Sequence, residues 1–377
     1  MTDAPHTLFL AAPRGFCAGV DRAIDIVDMA LQVYGPPIYV RHEIVHNRHV
    51  VDALRAKGAV FTDDLADVPR GAVVIFSAHG VSPAVRAEAA ARGLKALDAT
   101  CPLVTKVHLE ALRYARDGFT IVLIGHRNHV EVHGTMGEAP DSTVVVETVA
   151  DVESLALPDP GRVAYISQTT LSVDDVRAIV EALKRKYPAI HEPAKADICY
   201  ATQNRQDAVK ELSRRCKVIL VVGAPMSSNA NRLVEVAAQH GARAYLIEAA
   251  EDIRAEWIAG DVGITAGAST PEDVVQACVV RVRALGDYRV EEFRLVEERV
   301  MFPLPGELLA SAKAKGVAFA AGNERAAARA SAESGATQAS AEAGVTGGAA
   351  RVAKTGAGTE PARAEESSAA EFRIRHH

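Results

Sequence analysis

Three of the chain's five cysteines open the same sequence pattern, and this threefold repeat limits the fold more than any other feature. Cys17 stands in RGFCAGV, Cys101 in DATCPLV and Cys199 in DICYAT, each just before a helical stretch. After Cys17 the apolar positions Val20, Ile24, Val27 and Leu31 recur on one helix face. Pro102 suits the first turn of a second helix continued by Val104, Val107 and Ala111, while Val209 and Leu212 mark a third. Next comes a strand ending in a polar loop, which puts His46 29 residues past Cys17, His129 28 past Cys101, and Ser227 28 past Cys199. A second strand and loop put His79, Thr169 and Ser269 at 62, 68 and 70 residues past the same three cysteines.

The strand-like runs are near-continuous and β-branched: 73–77 (VVIFS), 120–124 (TIVLI), 163–166 (VAYI), 218–222 (VILVV) and 262–265 (VGIT). Such runs, separated by amphipathic helices, predict parallel sheets covered on both faces. The expected fold is α/β: three pseudo-repeated domains with mostly parallel sheets around one central site. The repeats are drawn at 1–99, 100–197 and 198–310, with the N-terminal strand free to join the third. In parallel α/β units, ligand groups sit where strand C-termini meet helix N-termini. Packing about a pseudo-threefold axis would therefore bring three cysteines and six loops to one cleft.

Composition changes once, after residue 310. The last 67 residues hold 22 Ala and 8 Gly but only six large apolar side chains, among them Val317 and Phe319. That is too little apolar area to offset backbone ordering, so 311–377 reads as an Ala-rich disordered tail. The net charge of −6 and the lack of a basic block argue against binding nucleic acid. No apolar run reaches the ~18 residues of a membrane span, and the N-terminus has no basic region before a long apolar stretch. Five scattered cysteines do not make a disulfide framework, which fits a cytoplasmic protein.

Cys216 and Cys278 sit at helix spacing among Val and Leu and read as core. Cys17, Cys101 and Cys199 instead lie in turn-like sequence at matching repeat positions. Three convergent soft thiolates favour an iron–sulfur cluster or zinc, and a cluster held by three cysteines leaves one iron open. The segment SSNANRL, with Ser227, Ser228 and Asn229 before a helix, could hold phosphate oxygens, although an ordinary helix cap uses the same residues. His46, His79 and His129 would add donors, and as imidazolium they would add charge. Glu131, two residues after His129, points to the same side in extended chain and suits a general acid.

These residues resemble the 4-hydroxy-3-methylbut-2-enyl diphosphate reductase family over roughly residues 7–305. RGFCAGVDRAI, RHEIVHN, FSAHGVS, DATCPLV, QTTLSVDD, DICYATQNRQ, SSNANRL and TAGASTPE are similar to family signatures and stand in family order. The resemblance implies one 4Fe–4S cluster per chain on Cys17, Cys101 and Cys199, with the fourth iron binding the substrate hydroxyl. It implies diphosphate binding by His46, His79, His129, Ser227, Ser228, Asn229 and Ser269. It also implies proton delivery by Glu131, and alcohol orientation and proton relay by Thr169. The implied reaction is reductive dehydroxylation of the allylic diphosphate to isopentenyl and dimethylallyl diphosphate. There is no Gly-rich dinucleotide fingerprint, so ferredoxin or flavodoxin is the expected electron donor. The sequence departs from the family at Val130, where HVEV replaces HPEV. An iron–sulfur hydro-lyase, which needs no electron donor, and a non-catalytic redox sensor are the competing readings.

Overall fold

The computed structural model describes residues 5–318. Its strands form three wholly parallel sheets. The first unites β2 (Ile38–Arg41), β3 (Ala59–Thr62), β4 (Val73–Phe76) and β5 (Lys95–Asp98) in the order β3-β2-β4-β5. The second holds β6 (Thr120–Ile124), β7 (Thr143–Val146) and β8 (Val163–Ser167), with β6 central. The third combines β1 (His6–Ala12) with β9 (Val218–Val222), β10 (Arg243–Ile247), β11 (Val262–Ala266) and β12 (Tyr288–Arg294), in the order β10-β9-β11-β1-β12. The five apolar runs of the sequence fall on β4, β6, β8, β9 and β11. Every residue of β9 and β11 is buried, as their unbroken hydrophobicity demands.

β1 lies between β11 and β12, pairing Leu8 with Val262 on one side and with Val290 on the other. The chain thus begins in the sheet it later completes. It then crosses to the first sheet through the helix Ala18–Tyr34, in which Val20, Ile24 and Val27 are buried and Leu31 packs at the edge. Each sheet carries apolar clusters formed with its flanking helices.

The tail boundary at 310 falls inside a helix. Gly306–Ala314 is helical, with Leu308 and Ala312 buried against the core of the first sheet and Val317 packed beside them. Lys315 Nζ donates to the Val33 carbonyl at 2.6 Å. Ala312 follows Leu308 by four residues, and a methyl group on that face is enough for close helix contact. Counting only large side chains missed it. Residues 319–377, the rest of the Ala-rich segment, lie outside the described residues.

Candidate active site

Each of the three cysteines is the residue before a helix: Cys17 before Ala18–Tyr34, Cys101 before Pro102–Arg116, and Cys199 before Tyr200–Arg215. Their backbone N–H groups repeat one bond. Cys101 N donates to Ala78 O (2.9 Å), Cys199 N to Thr169 O (3.1 Å), and Cys17 N to Ala268 O (3.2 Å). Each acceptor lies in the second polar loop of the repeat before it, and the third bond, across the whole described body, closes the ring. The pseudo-threefold arrangement is therefore written in the backbone.

All three thiols are half-buried and face the same cavity. Burial pushes the Cys101 thiol up to about 12 and Cys199 up to about 11, and raises Cys17 as well; neighbouring cysteines add to the shift at Cys101 and Cys199, while Arg205 opposes it at Cys17 and Cys199. Without a cation among them these sulfurs stay protonated. A bound metal inverts that logic, because a coordinating thiol is deprotonated outright. Two observations make the site receptive to one. Helix N-termini favour thiolate over thiol. Gly19 leaves a gap that a Cβ would close, since that atom would lie 2.7 Å from Cys101 Sγ. Among the described residues, no three His, Cys, Asp or Glu side chains are grouped closely enough to hold a single metal ion.

Three imidazoles from three different loops line the same cavity. His46 stacks on His79 with centroids 4.2 Å apart, and His129 meets both edge-on at 5.4 and 5.8 Å. Burial, followed by the proximity of the other imidazoles, lowers His129 to about 3 and holds His79 well below the usual range. These two rings are therefore neutral N–H donors, and the charge that imidazolium would add is not theirs. His129 Nδ1 accepts the Glu131 N–H at 3.2 Å, which leaves the ring proton on Nε2.

That bond caps the helix Val130–Met136, so Glu131 sits in a first helical turn and not in extended chain. Val130 occupies the first helical position, where proline is only a preference. Glu131 is held regardless. Thr169 N donates to its Oε1 at 2.7 Å, and Thr169 Oγ1 lies 3.0 Å from its Oε2. The carboxyl is 2% exposed, and burial raises it to about 7 against the opposing pull of the two Thr169 bonds.

The serine-rich wall is cross-braced. Ser227 caps the helix Ser228–Gln239 by accepting the Ala230 N–H, which leaves its own hydroxyl hydrogen unused there. Ser228 Oγ accepts from Thr170 Oγ1 at 3.1 Å. Asn229 donates to Thr202 Oγ1 and accepts from Ala268 N, tying the Cys199 helix to the last loop. Ser269 Oγ donates to the His46 carbonyl at 3.0 Å. All twelve residues singled out in the sequence thus line one cavity. Sequence reasoning passed over Gly19, Thr170 and Thr202, which line it too, and Gln168, whose amide reaches His126 N and Thr170. Their signal was adjacency to the chosen motifs: QTT and CYAT contain three of the four.

The LytB protein family matches residues 8–283. The chain belongs to the LytB family. Relatives named 4-hydroxy-3-methylbut-2-enyl diphosphate reductase include one from Ralstonia nicotianae, 58% identical over 307 residues covering 81% of this chain and 95% of the relative. Another, from Bordetella pertussis, is 60% identical and covers 81% of this chain and 94% of the relative. The solved E-1-hydroxy-2-methyl-but-2-enyl-4-diphosphate reductase from Plasmodium falciparum superposes with a TM-score of 0.81 at 41% identity, spanning 83% of this chain and all of that one. The name that these relatives share marks the chain as an oxidoreductase enzyme.

Proposed function

We propose that this LytB-family chain reduces 4-hydroxy-3-methylbut-2-enyl diphosphate to isopentenyl and dimethylallyl diphosphate, and that Cys17, Cys101 and Cys199 hold one 4Fe–4S cluster. The observation that carries the reading is the meeting of three thiols, three imidazoles and a protonatable carboxyl in one cavity. Soft thiolates select an iron–sulfur group, and three leave one iron open. When bound, that group supplies electrons to the substrate's C–O bond. Breaking the bond takes two electrons and two protons and releases one water.

The chain's own residues bind, orient and protonate. His46, His79 and His129 offer ring N–H donors to diphosphate oxygens, and the arriving anion favours proton uptake by His79 and His129, which are neutral without it. Ser227 and Ser228 add hydroxyl donors at the start of a helix, where the backbone also favours an anion. Asn229 holds that wall in place, and Ser269 can serve only by releasing the His46 carbonyl. Glu131 is about half protonated near neutrality, the state a general acid needs. Its Oε2 and Thr169 Oγ1 can exchange donor and acceptor roles across 3.0 Å, so Thr169 can align the alcohol and pass the proton on. A proton delivered to either end of the allylic system gives one product or the other.

Electrons would come from a ferredoxin or flavodoxin, in keeping with a cytoplasmic protein. Among the described residues no helix is long and apolar enough to cross a membrane. The test is anaerobic turnover of the allylic diphosphate with a chemical or protein reductant. Two isomeric products in a reductant-dependent reaction are expected. Turnover without reductant would point to a hydro-lyase, and a cluster without turnover to a sensor.

A further inference from the structure

The NRQ that completes the DICYATQNRQ motif takes no part in the cavity, yet it contains the largest fully buried side chain of the described body. Arg205 is 0% exposed, in the helix that begins at Cys199. Burying a guanidinium is unfavourable unless its donors are matched. Here its two Nη groups are spent on the cysteine frame and on one carboxylate, while Nε is buried without a partner. Nη2 donates to Gly15 O at 2.7 Å and to Phe16 O at 3.4 Å, the two carbonyls before Cys17, and Nη1 donates to Ala201 O at 2.9 Å, two residues after Cys199. Gly15 has φ +63°, a left-handed conformation that turns its carbonyl into this contact at no steric cost to glycine.

The countercharge comes from elsewhere in the chain. Glu298, in the segment after β12, accepts from Arg205 Nη1 at 3.0 Å and from Asn204 Nδ2 at 3.0 Å. One guanidinium therefore spans the Cys17 loop, the Cys199 helix and the segment that follows the last strand. Lysine, a point charge, could not reproduce its fork of donors in full.

The geometry points to Arg205 as a positioning residue for the iron–sulfur cluster: it locks the Cys17 loop to the Cys199 helix and sets the cluster's potential by a positive charge that Glu298 partly masks. This rests on the cluster reading of the three cysteines. In a water-excluded setting a nearby cation stabilises the more reduced, more negative form, and a nearby anion does the reverse. Removing each partner in turn should therefore move the potential in opposite directions, which simple loosening of the structure would not do.

The experiment is a redox titration of anaerobically purified, cluster-loaded full-length protein followed by electron paramagnetic resonance, with iron and sulfide measured in parallel. Glu298→Gln should keep the cluster and raise its midpoint potential. Arg205→Gln should lower the potential, or lose iron and sulfide outright, and Arg205→Lys should restore the cluster with an intermediate potential. Wild-type potential in Glu298→Gln, or shifts of the same sign in Glu298→Gln and Arg205→Gln, would overturn the proposal. Wild-type protein without iron and sulfide would instead overturn the cluster reading beneath it.

Discussion

At the scale of single residues the chemistry depends on how burial moves proton affinities. Glu131 gains proton affinity because its carboxyl is shut away from water, and the two Thr169 bonds, which favour the anion, only partly offset that. A carboxyl raised from 4.5 to about 7 on folding stabilises the fold below about pH 4.5, and that contribution is lost as pH rises through 7. Glu131→Gln keeps the shape and the Thr169 bonds without an ionisable group. Its unfolding free energy from urea titration should match wild type at pH 4.5 and exceed it at pH 8 by roughly 3 kcal/mol. The same variant should lose ~10²-fold or more in kcat with little change in KM. Wild-type kcat should itself decline above pH 7 as the acid is deprotonated. A fast Glu131→Gln enzyme would move the acid role to Thr169 and an ordered water.

At the scale of elements, three helix starts present three sulfurs, and their spacing depends on how closely the backbones approach. Gly19 lies in the first turn after Cys17, against Cys101, and a methyl there would sit 2.7 Å from Cys101 Sγ. Contacts under 3 Å force a shift, and a rotation of the Cys101 side chain that relieves this one carries its sulfur out of its present place in the cavity. Gly19→Ala should therefore cut bound iron and sulfide sharply while leaving the circular dichroism spectrum of the fold unchanged. Serine at Cys17, Cys101 or Cys199 should do the same. Serine at Cys216 or Cys278, both buried in apolar clusters of the third sheet, should leave iron and sulfide in place at some cost in stability. Full metal content in Gly19→Ala would show that the site does not need the gap at Gly19, and full metal content in Cys101→Ser would show that Cys101 is not a ligand.

At the scale of the whole described body, the chain closes on itself twice. β1 is held between β11 and β12, and the helix Gly306–Ala314 returns to pack on Ala18–Tyr34. Arg22 Nε reinforces this return by donating to the Pro303 carbonyl at 2.8 Å. Leu308 is fully buried there, so Leu308→Ala should destabilise by about 2–5 kcal/mol. Truncation after residue 305 should cost at least as much. Truncation after residue 318 removes almost no large apolar side chains and should leave Tm and turnover nearly unchanged. Equal melting temperatures for the two truncations would show that the helix contributes nothing to the packing.

Local patterning in the chain accounts for the elements and their repetition. A buried parallel strand and an amphipathic helix leave short-range patterns of fixed period, so β6 and β9 are legible to the residue, and so is the place of each cysteine before its helix. The triplicate spacing even indicates which loops meet. Folding in three dimensions sets everything that depends on partners distant in the chain or on exclusion of water. The bond from Cys17 to Ala268, the Arg205 and Glu298 pair, and the return of Leu308 and Ala312 to the first sheet join segments with no shared local pattern. The neutral His79 and His129 and the protonatable Glu131 arise for the same reason. A side chain's proton affinity changes only when folding replaces its water with other groups, and no spacing of residues records which groups those will be.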